Sequence, residues 1–146
     1  MLFRSVAENS VPAISHALTK VIDRQPFDLT VAGVGAFPEA GAPRVLWAGI
    51  TDGVDELVKV EVEVSSRLQQ VGIPPDDRIF SPHLTLGRVR DAAGLRRSVL
   101  LAGLDELALG TSRVEAITLF ESRLSPKGPT YLPLQRTPIW KKPPPS

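Results

Sequence analysis

Strand-like segments, separated by loops rich in glycine and proline, alternate with helical patterns along this chain, and their order constrains the fold more than any other feature. The predicted helices cover residues 8–25, 52–71 and 92–104. The predicted strands cover residues 26–37, 44–50, 82–89, 112–124 and 131–136. Strands joined by loops and turns, with helices between them, favour an α+β fold with a largely antiparallel sheet.

Two local patterns refine this prediction. The valines between residues 58 and 64 alternate as in a strand, but together with Leu57 and Leu68 they also fit one side and the flank of a helix. The length of the segment, a potential Asp52 cap and a glycine at its end favour the helix. In the first strand, Gly33 and Gly35 predict a bulge or a close backbone approach.

Chain length and composition narrow the class of protein. A chain of 146 residues fits one domain, predicted over 1–138, followed by a tail at 139–146 that is predicted to be disordered. The absence of cysteine excludes disulfides, thiolate zinc sites and cysteine nucleophiles. The start of the chain lacks the apolar core of a signal peptide, and no apolar run approaches the ~20 residues of a membrane span. We therefore expect a cytoplasmic protein without a membrane partner.

The segment "PHLTLGRVR" contains the most distinctive polar pair in the chain. On a strand, His83 and Thr85 point to the same side, while Leu84 and Leu86 point to the other side, into a predicted core. An imidazole can take or give a proton near neutral pH, and a threonine hydroxyl can donate a hydrogen bond to a phosphoryl oxygen. This pair therefore predicts a small catalytic or phosphate-binding patch.

Two neighbours of the pair extend this hypothesis. Gly87, next on the same side under strict alternation, would leave room for a ligand. Arg88 has donors that suit phosphate, but it reaches the patch only if the strand bulges or ends there. The structural alternative is a partly buried His83 that is hydrogen-bonded to Thr85, and the short pattern alone favours it.

The surrounding residues resemble a known family. "PHLTLGRVR" resembles the second H-x-T-x motif of the two-histidine (2H) phosphoesterases, in the branch of RNA 2′,3′-cyclic phosphodiesterases, also called 2′-5′ RNA ligases. Three further blocks resemble the same branch in order: "PFDLTVAGVGAFPEAGAPRVLWAGI", "GIPPDDRIFSPHLTLGRVR" and "VEAITLFESRLSPKGPTYLPL". The resemblance runs from about Val6 to about Arg136.

This resemblance implies a 2H phosphoesterase-like fold of two lobes, with antiparallel sheets and packed helices. It also implies hydrolysis of RNA 2′,3′-cyclic phosphate ends, or of 2′,3′-cyclic nucleotides, to 2′-phosphates without metal or cofactor. By the same resemblance His83 is the general base, Thr85 binds a phosphoryl oxygen and Arg88 reaches the phosphate. Ser81 and Tyr131 are further candidate substrate-binding residues, although Tyr131 equally fits a purely structural place in the closing hairpin. Ser81 stands where many relatives carry arginine, a difference that is expected to weaken substrate binding.

The family's first H-x-T motif, with its opening strand and helix, has no counterpart in this chain, which contains one H-x-T. The other histidine, His16, is predicted to be a helix surface or boundary residue. Since one imidazole cannot be acid and base at once, losing the partner typically costs 10²–10⁴-fold in rate. Three hypotheses remain: an enzyme whose acid comes from residues upstream or from a second chain, a module that binds RNA or nucleotide phosphate ends without turnover, and a defective fragment. An exposed sheet edge would also allow self-association.

Trp47 and the adjacent pair Arg96 and Arg97 are predicted to have structural rather than catalytic roles. Trp47 is predicted to lie in the core. Arg96 and Arg97 are predicted to form a solvated helix face, with contact to an RNA backbone as the alternative.

Overall fold

The computed structural model describes residues 6–141 and 143. The helices are a 3-10 turn at Glu8–Ser10, α1 (Val11–Ala17), α2 (Val54–Gln69) and α3 (Arg97–Leu100). The strands are β1 (Phe27–Phe37), β2 (Val45–Asp52), β3 (His83–Arg88), β4 (Ala108–Val114), β5 (Ala116–Ser125) and β6 (Gly128–Pro138). The predicted α+β class with antiparallel pairing is confirmed. None of the helices in these residues has the length and apolar character needed to span a bilayer.

The chain folds into two compact units. The helical unit comprises Met1–Phe27, Val58–Phe80 and Val114–Ser146, and the sheet unit comprises Asp28–Leu57 and Ser81–Arg113.

The helical unit has its core between α1, α2 and the hairpin of β5 and β6. The buried side chains of α2 are Val60, Val64 and Leu68, which are spaced four residues apart, whereas Val62 is exposed. This spacing confirms the helix predicted for residues 52–71, because a strand would bury every second residue. Other buried apolar residues of the unit are Ile14, Leu18, Ile22, Phe27 and Ile139.

The first helix ends earlier than predicted. It was predicted over residues 8–25 but ends at Ala17, and the following segment uses its backbone groups in other contacts. The Arg67 guanidinium of α2 donates to the carbonyl oxygens of Lys20 and Val21. Ile22 forms an isolated parallel bridge with Ile139. These tertiary contacts replace the helical hydrogen bonds that the apolar spacing had suggested.

The end of the chain is packed up to Trp140. Ile139, the first residue of the predicted tail, is 2% exposed, and the Trp140 amide donates to the Ile22 carbonyl oxygen at 3.0 Å. The hydroxyl of the buried Thr137 donates to the Leu18 carbonyl oxygen. Of the rest of the predicted tail, residues 142 and 144–146 lie outside the described residues.

The hairpin of β5 and β6 forms a two-stranded antiparallel sheet. In the described residues no third strand pairs with either edge. Self-association through such an edge stays a prediction.

The sheet unit contains four strands in the order β3–β2–β1–β4. Strand β2 pairs antiparallel with both β1 and β3. Strands β1 and β4 are also antiparallel. Asp28 contacts Arg113 and Thr30 contacts Thr111, so the residue numbers rise in one strand as they fall in the other. The predicted strand at residues 112–124 is therefore two strands, because its first residues complete this sheet and its later residues form the hairpin of the helical unit.

The prediction of a bulge or a close backbone approach in β1 is confirmed at Gly33 but not at Gly35, where a side chain approaches. Gly33 lies at a register shift with a φ of 69°, and its amide donates to the Leu107 carbonyl oxygen at 2.8 Å. A Cβ at Gly33 would lie 2.6 Å from the Asp105 carbonyl oxygen, so backbone approaches closely here. At Gly35 the approaching group is the Trp47 indole, and the contact shapes the site described below.

The predicted helix at residues 92–104 is much shorter in the structure. Only Arg97–Leu100 is helical. The Asp91 carboxylate accepts a hydrogen bond from the Ala93 amide at 2.9 Å, which closes a turn well before the helix begins. Asp91 therefore does not cap α3, and the glycines in the segment interrupt the helical pattern.

Candidate functional site

The His83 face of the sheet unit is the side of its sheet that carries His83 and Thr85. Thr85 lies opposite Trp47 of β2, and Trp47 lies opposite Gly35 of β1. His83 lies opposite Gly49. Both polar side chains are exposed, and residues two apart on a strand lie about 7 Å from each other. The sequence prediction that His83 and Thr85 share one side of a strand is therefore confirmed.

A bulge in β3 brings Arg88 to the same face. Gly87 lies opposite Leu46 and Thr85 opposite Trp47, so Leu86 is an extra residue in the ladder. Beyond this shift Arg88 lies opposite Val45, which is on the Trp47 side of β2. A bulge of this kind reverses the alternation that follows it. Strict alternation had put Arg88 on the wrong side, and it had also put Gly87 on the His83 face, where the register does not place it.

The leucines of β3 do not enter a core. Leu84 is 53% exposed and Leu86 is 51% exposed, so the prediction that they are buried is wrong. They line a shallow groove on the opposite face of the sheet, together with Val31 of β1 and Leu109 of β4. Alternation identifies the two sides of a strand, but it does not show how much of each side is covered.

The imidazole of His83 has a defined hydrogen bond. Its Nδ1 lies 2.8 Å from the backbone carbonyl oxygen of Ser81. Since a carbonyl oxygen only accepts, the neutral ring must carry its proton on Nδ1, which leaves the lone pair on Nε2 available to accept a proton. The structural alternative, a hydrogen bond between the ring and Thr85, is not found in the described residues. Ser81 contributes through its backbone, which is independent of its side chain.

Two aromatic rings pack beside His83. The Phe37 ring lies 5.4 Å from the imidazole, centre to centre, at an interplanar angle of 76°, and the Trp47 ring lies 6.5 Å away at 61°. The centres of Phe37 and Trp47 are 5.4 Å apart. Trp47 is only half-buried, although its indole N–H is buried and has no hydrogen-bond partner among the described residues.

Sequence reasoning missed these aromatic neighbours. Trp47 was predicted to be a core residue, and Phe37 was given no role. Alternation does place Phe37 on the Gly35 side of β1, but which strand lies beside it depends on the register, which the sequence does not supply.

The hydrogen-bonding groups of Thr85 and Arg88 remain available. In residues 6–141 and 143, neither the Thr85 hydroxyl nor the Arg88 guanidinium has a protein partner. The described residues also contain no group of three or more histidine, cysteine, aspartate or glutamate side chains arranged to hold a metal ion. The face therefore offers one proton acceptor and two sets of donors that can serve an oxyanion.

The other candidates lie in the helical unit. His16 is exposed in the last turn of α1, and its carbonyl oxygen accepts a hydrogen bond from the Thr19 hydroxyl at 2.7 Å. This agrees with the predicted boundary role, because the hydroxyl is used to end the helix. Tyr131 lies on β6, is 60% exposed and packs edge-on against Phe120 at 6.4 Å.

Comparison with known proteins gives a consistent family assignment. The family model described as the 2′-5′ RNA ligase superfamily matches residues 1–125. An RNA 2′,3′-cyclic phosphodiesterase of Aeropyrum pernix is 37% identical over 131 residues, which cover 88% of this chain and 74% of that protein. A protein of the same name from Archaeoglobus fulgidus is 35% identical, with 89% and 72% covered.

Solved structures agree with the fold. A crystal structure of a Thermus thermophilus protein superposes with a TM-score of 0.73 at 25% identity, covering 94% of this chain and 74% of that one. E. coli LigT in complex with 3′-AMP superposes with a TM-score of 0.71 at 22% identity, covering 95% and 74%. The predicted 2H phosphoesterase-like fold is thus confirmed, and the chain belongs to the 2′-5′ RNA ligase superfamily, an enzyme family with relatives named RNA 2′,3′-cyclic phosphodiesterase.

Proposed function

We propose that the His83 face hydrolyses RNA 2′,3′-cyclic phosphate ends to 2′-phosphates without a metal ion. The names of the relatives support the reaction class. The observation that carries the proposal is the hydrogen bond from His83 Nδ1 to the Ser81 carbonyl oxygen, because it leaves Nε2 as an exposed proton acceptor.

The proposed reaction is a single displacement at phosphorus. Nε2 of His83 accepts a proton from water as the water oxygen bonds to phosphorus, and the bond from phosphorus to O3′ breaks. The electron pair of that bond goes to O3′, which takes up a proton, and the phosphate stays on O2′. The Thr85 hydroxyl donates to a non-bridging oxygen, and the Arg88 guanidinium offers a fork of donors to the same phosphate.

The proton for O3′ determines the rate. The chain has one H-x-T motif. The other histidine, His16, lies in α1, and the nearby Thr19 hydroxyl donates to the His16 carbonyl oxygen at the end of that helix. With water as the proton donor, turnover is expected to be about 10²–10⁴-fold slower than with a positioned acid. A faster turnover whose rate per protein molecule rises with protein concentration would indicate an acid supplied by a second copy.

The test is an incubation of purified protein with an oligonucleotide that ends in a 2′,3′-cyclic phosphate, in excess EDTA. We expect a 2′-phosphate as the only product, at a rate unchanged by the chelator. Formation of a 3′-phosphate would contradict the proposed bond cleavage, and a rate abolished by EDTA would contradict the metal-independent mechanism.

Binding without turnover is the alternative outcome. It would appear as saturable binding of the cyclic end, weakened by Thr85→Val and Arg88→Ala, with no product at any enzyme excess. The matched control is Arg90→Ala, since Arg90 is exposed but lies beyond the end of β3. Equal effects of the two arginine substitutions would remove Arg88 from the phosphate site.

A further inference from the structure

Arg97 holds the backbone on both sides of an aromatic residue of the candidate site. Its guanidinium donates to the carbonyl oxygens of Ala36 and Pro38, which flank Phe37 at the end of β1. The Arg97 side chain is half-buried, whereas the neighbouring Arg96 is exposed. The prediction that both arginines form a solvated face is therefore wrong for Arg97.

Arginine suits this position for a geometric reason. Its planar guanidinium presents five N–H donors in a fixed fork, so two carbonyl oxygens two residues apart can be bound by one side chain. A lysine has its donors on a single nitrogen and would reach one carbonyl oxygen well. One edge of this part of β1 is paired with β2, up to Phe37 opposite Val45, and Arg97 adds two further hydrogen bonds at the end of the strand.

Phe37 transmits this position to His83. Its ring meets the imidazole edge-on, while the Ser81 carbonyl oxygen holds Nδ1. The imidazole can rotate about its Cα–Cβ and Cβ–Cγ bonds, and one hydrogen bond at Nδ1 leaves part of this rotation free. A ring packed against the imidazole restricts this rotation and so sets the direction of Nε2.

We propose that Arg97 and Phe37 are positioning residues that fix the orientation of the His83 imidazole through the end of β1. The role rests on the proposed function of His83, but its structural part can be measured without turnover. Neither residue need contact the substrate, because Arg97 acts through backbone carbonyl oxygens and Phe37 through the imidazole.

The direct readout is the imidazole ¹⁵N NMR spectrum of His83. In the parent protein we expect one protonated Nδ1 and one unprotonated Nε2 in the neutral ring. In Arg97→Ala the two nitrogens should move toward averaged shifts, as both tautomers and ring orientations become populated. Arg96→Ala is the matched control and should leave the spectrum unchanged.

Kinetics distinguish positioning from contact with RNA. Arg97→Ala should lower kcat about 10–100-fold with little change in KM, as expected for a small misplacement of a reacting group. Arg97→Lys should recover part of the rate, and added guanidinium should recover part of the rate of Arg97→Ala. A rise in KM that depends on salt, with kcat unchanged, would overturn the proposal in favour of an RNA backbone contact.

A second variant tests the same role in case Arg97→Ala does not fold. Phe37→Leu keeps the carbonyl oxygens that Arg97 binds but removes the ring beside His83, so it should average the ¹⁵N signals in the same way. Unchanged signals in Phe37→Leu, or in a folded Arg97→Ala, would overturn the positioning role. If the parent protein shows an ordered His83 ring that both variants disturb, but no turnover, the proposed function fails while the positioning role stands.

Discussion

Gly35→Ala should destabilise the sheet unit by displacing Trp47. A Cβ on Gly35 would lie 2.5 Å from Cη2 and 2.6 Å from Cε2 of the indole, and closer still to Cζ2. Ordinary contacts between carbon atoms are about 3.5–4.0 Å. The indole would therefore have to retreat by about 1.5 Å to restore ordinary contact distances, away from the position in which it packs against Phe37 and His83.

The expected magnitude follows from two opposing effects. Overpacking of this kind typically costs about 1–3 kcal/mol, and the disturbed aromatic pairs add about 0.5–1.5 kcal/mol. Replacing glycine by alanine within a strand raises the free energy of unfolding by about 0.5–1 kcal/mol, which offsets part of this cost. We therefore expect the free energy of unfolding to fall by about 0.5–4 kcal/mol, with a central value of about 2 kcal/mol.

Gly87→Ala is the matched control. A Cβ on Gly87 would have no atom within 4 Å, so only the gain of alanine over glycine in a strand remains, and this substitution should raise the free energy of unfolding by about 0.5–1 kcal/mol. The assay is urea unfolding followed by tryptophan fluorescence, in a Trp140→Phe background so that Trp47 is the only reporter. If Gly35→Ala were as stable as Gly87→Ala, with unchanged Trp47 emission, the described packing of Trp47 on Gly35 would be refuted.

Three further predictions concern Thr85, Ser81 and the burial of two leucines. Thr85→Val should lower kcat/KM about 10–100-fold by removing a hydrogen bond to a charged oxygen, while Thr85→Ser retains it; equal rates would argue against phosphate binding. Ser81→Ala should leave turnover near the parent rate, because the backbone carbonyl oxygen orients His83, and a large loss would give the side chain a role. Leu68→Ala, at a site 3% exposed, should cost about 2–5 kcal/mol in denaturant unfolding, whereas Leu84→Ala should cost less than about 1 kcal/mol; similar costs would contradict the exposure of Leu84.

The parts of the fold predicted well are those determined by local pattern. Strand β1 was predicted to within one residue of its observed bounds, and α2 to within two. In both segments the apolar spacing, the boundary residues (prolines for β1, glycines for α2) and the tertiary packing agree. The placement of His83 and Thr85 on one side of β3 was also predicted correctly, because it requires only the twofold repeat of a strand.

The failures come from contacts that local pattern does not contain. The register shift at Leu86 moved Arg88 onto the His83 face, and although the adjacent Gly87 is compatible with a bulge, the sequence alone left open whether the strand bulges there. The role of Arg97 depends on two carbonyl oxygens about sixty residues earlier in the chain. Burial of Leu84 was inferred from its side of the strand, but burial depends on what covers that side, which is a property of the tertiary structure.

The proposed reaction depends on one histidine, His83, as the group that accepts the proton from water. The measurement is the single-turnover rate of 2′-phosphate formation from a cyclic-ended oligonucleotide, with excess protein and EDTA, for His83→Gln and His16→Gln. These are the only histidines in the chain, and glutamine is similar in size to histidine but has no comparable basicity. We predict that His83→Gln loses at least about 10²-fold in rate while His16→Gln matches the parent protein. Equal rates for the two variants, or a loss confined to His16→Gln, would contradict the account.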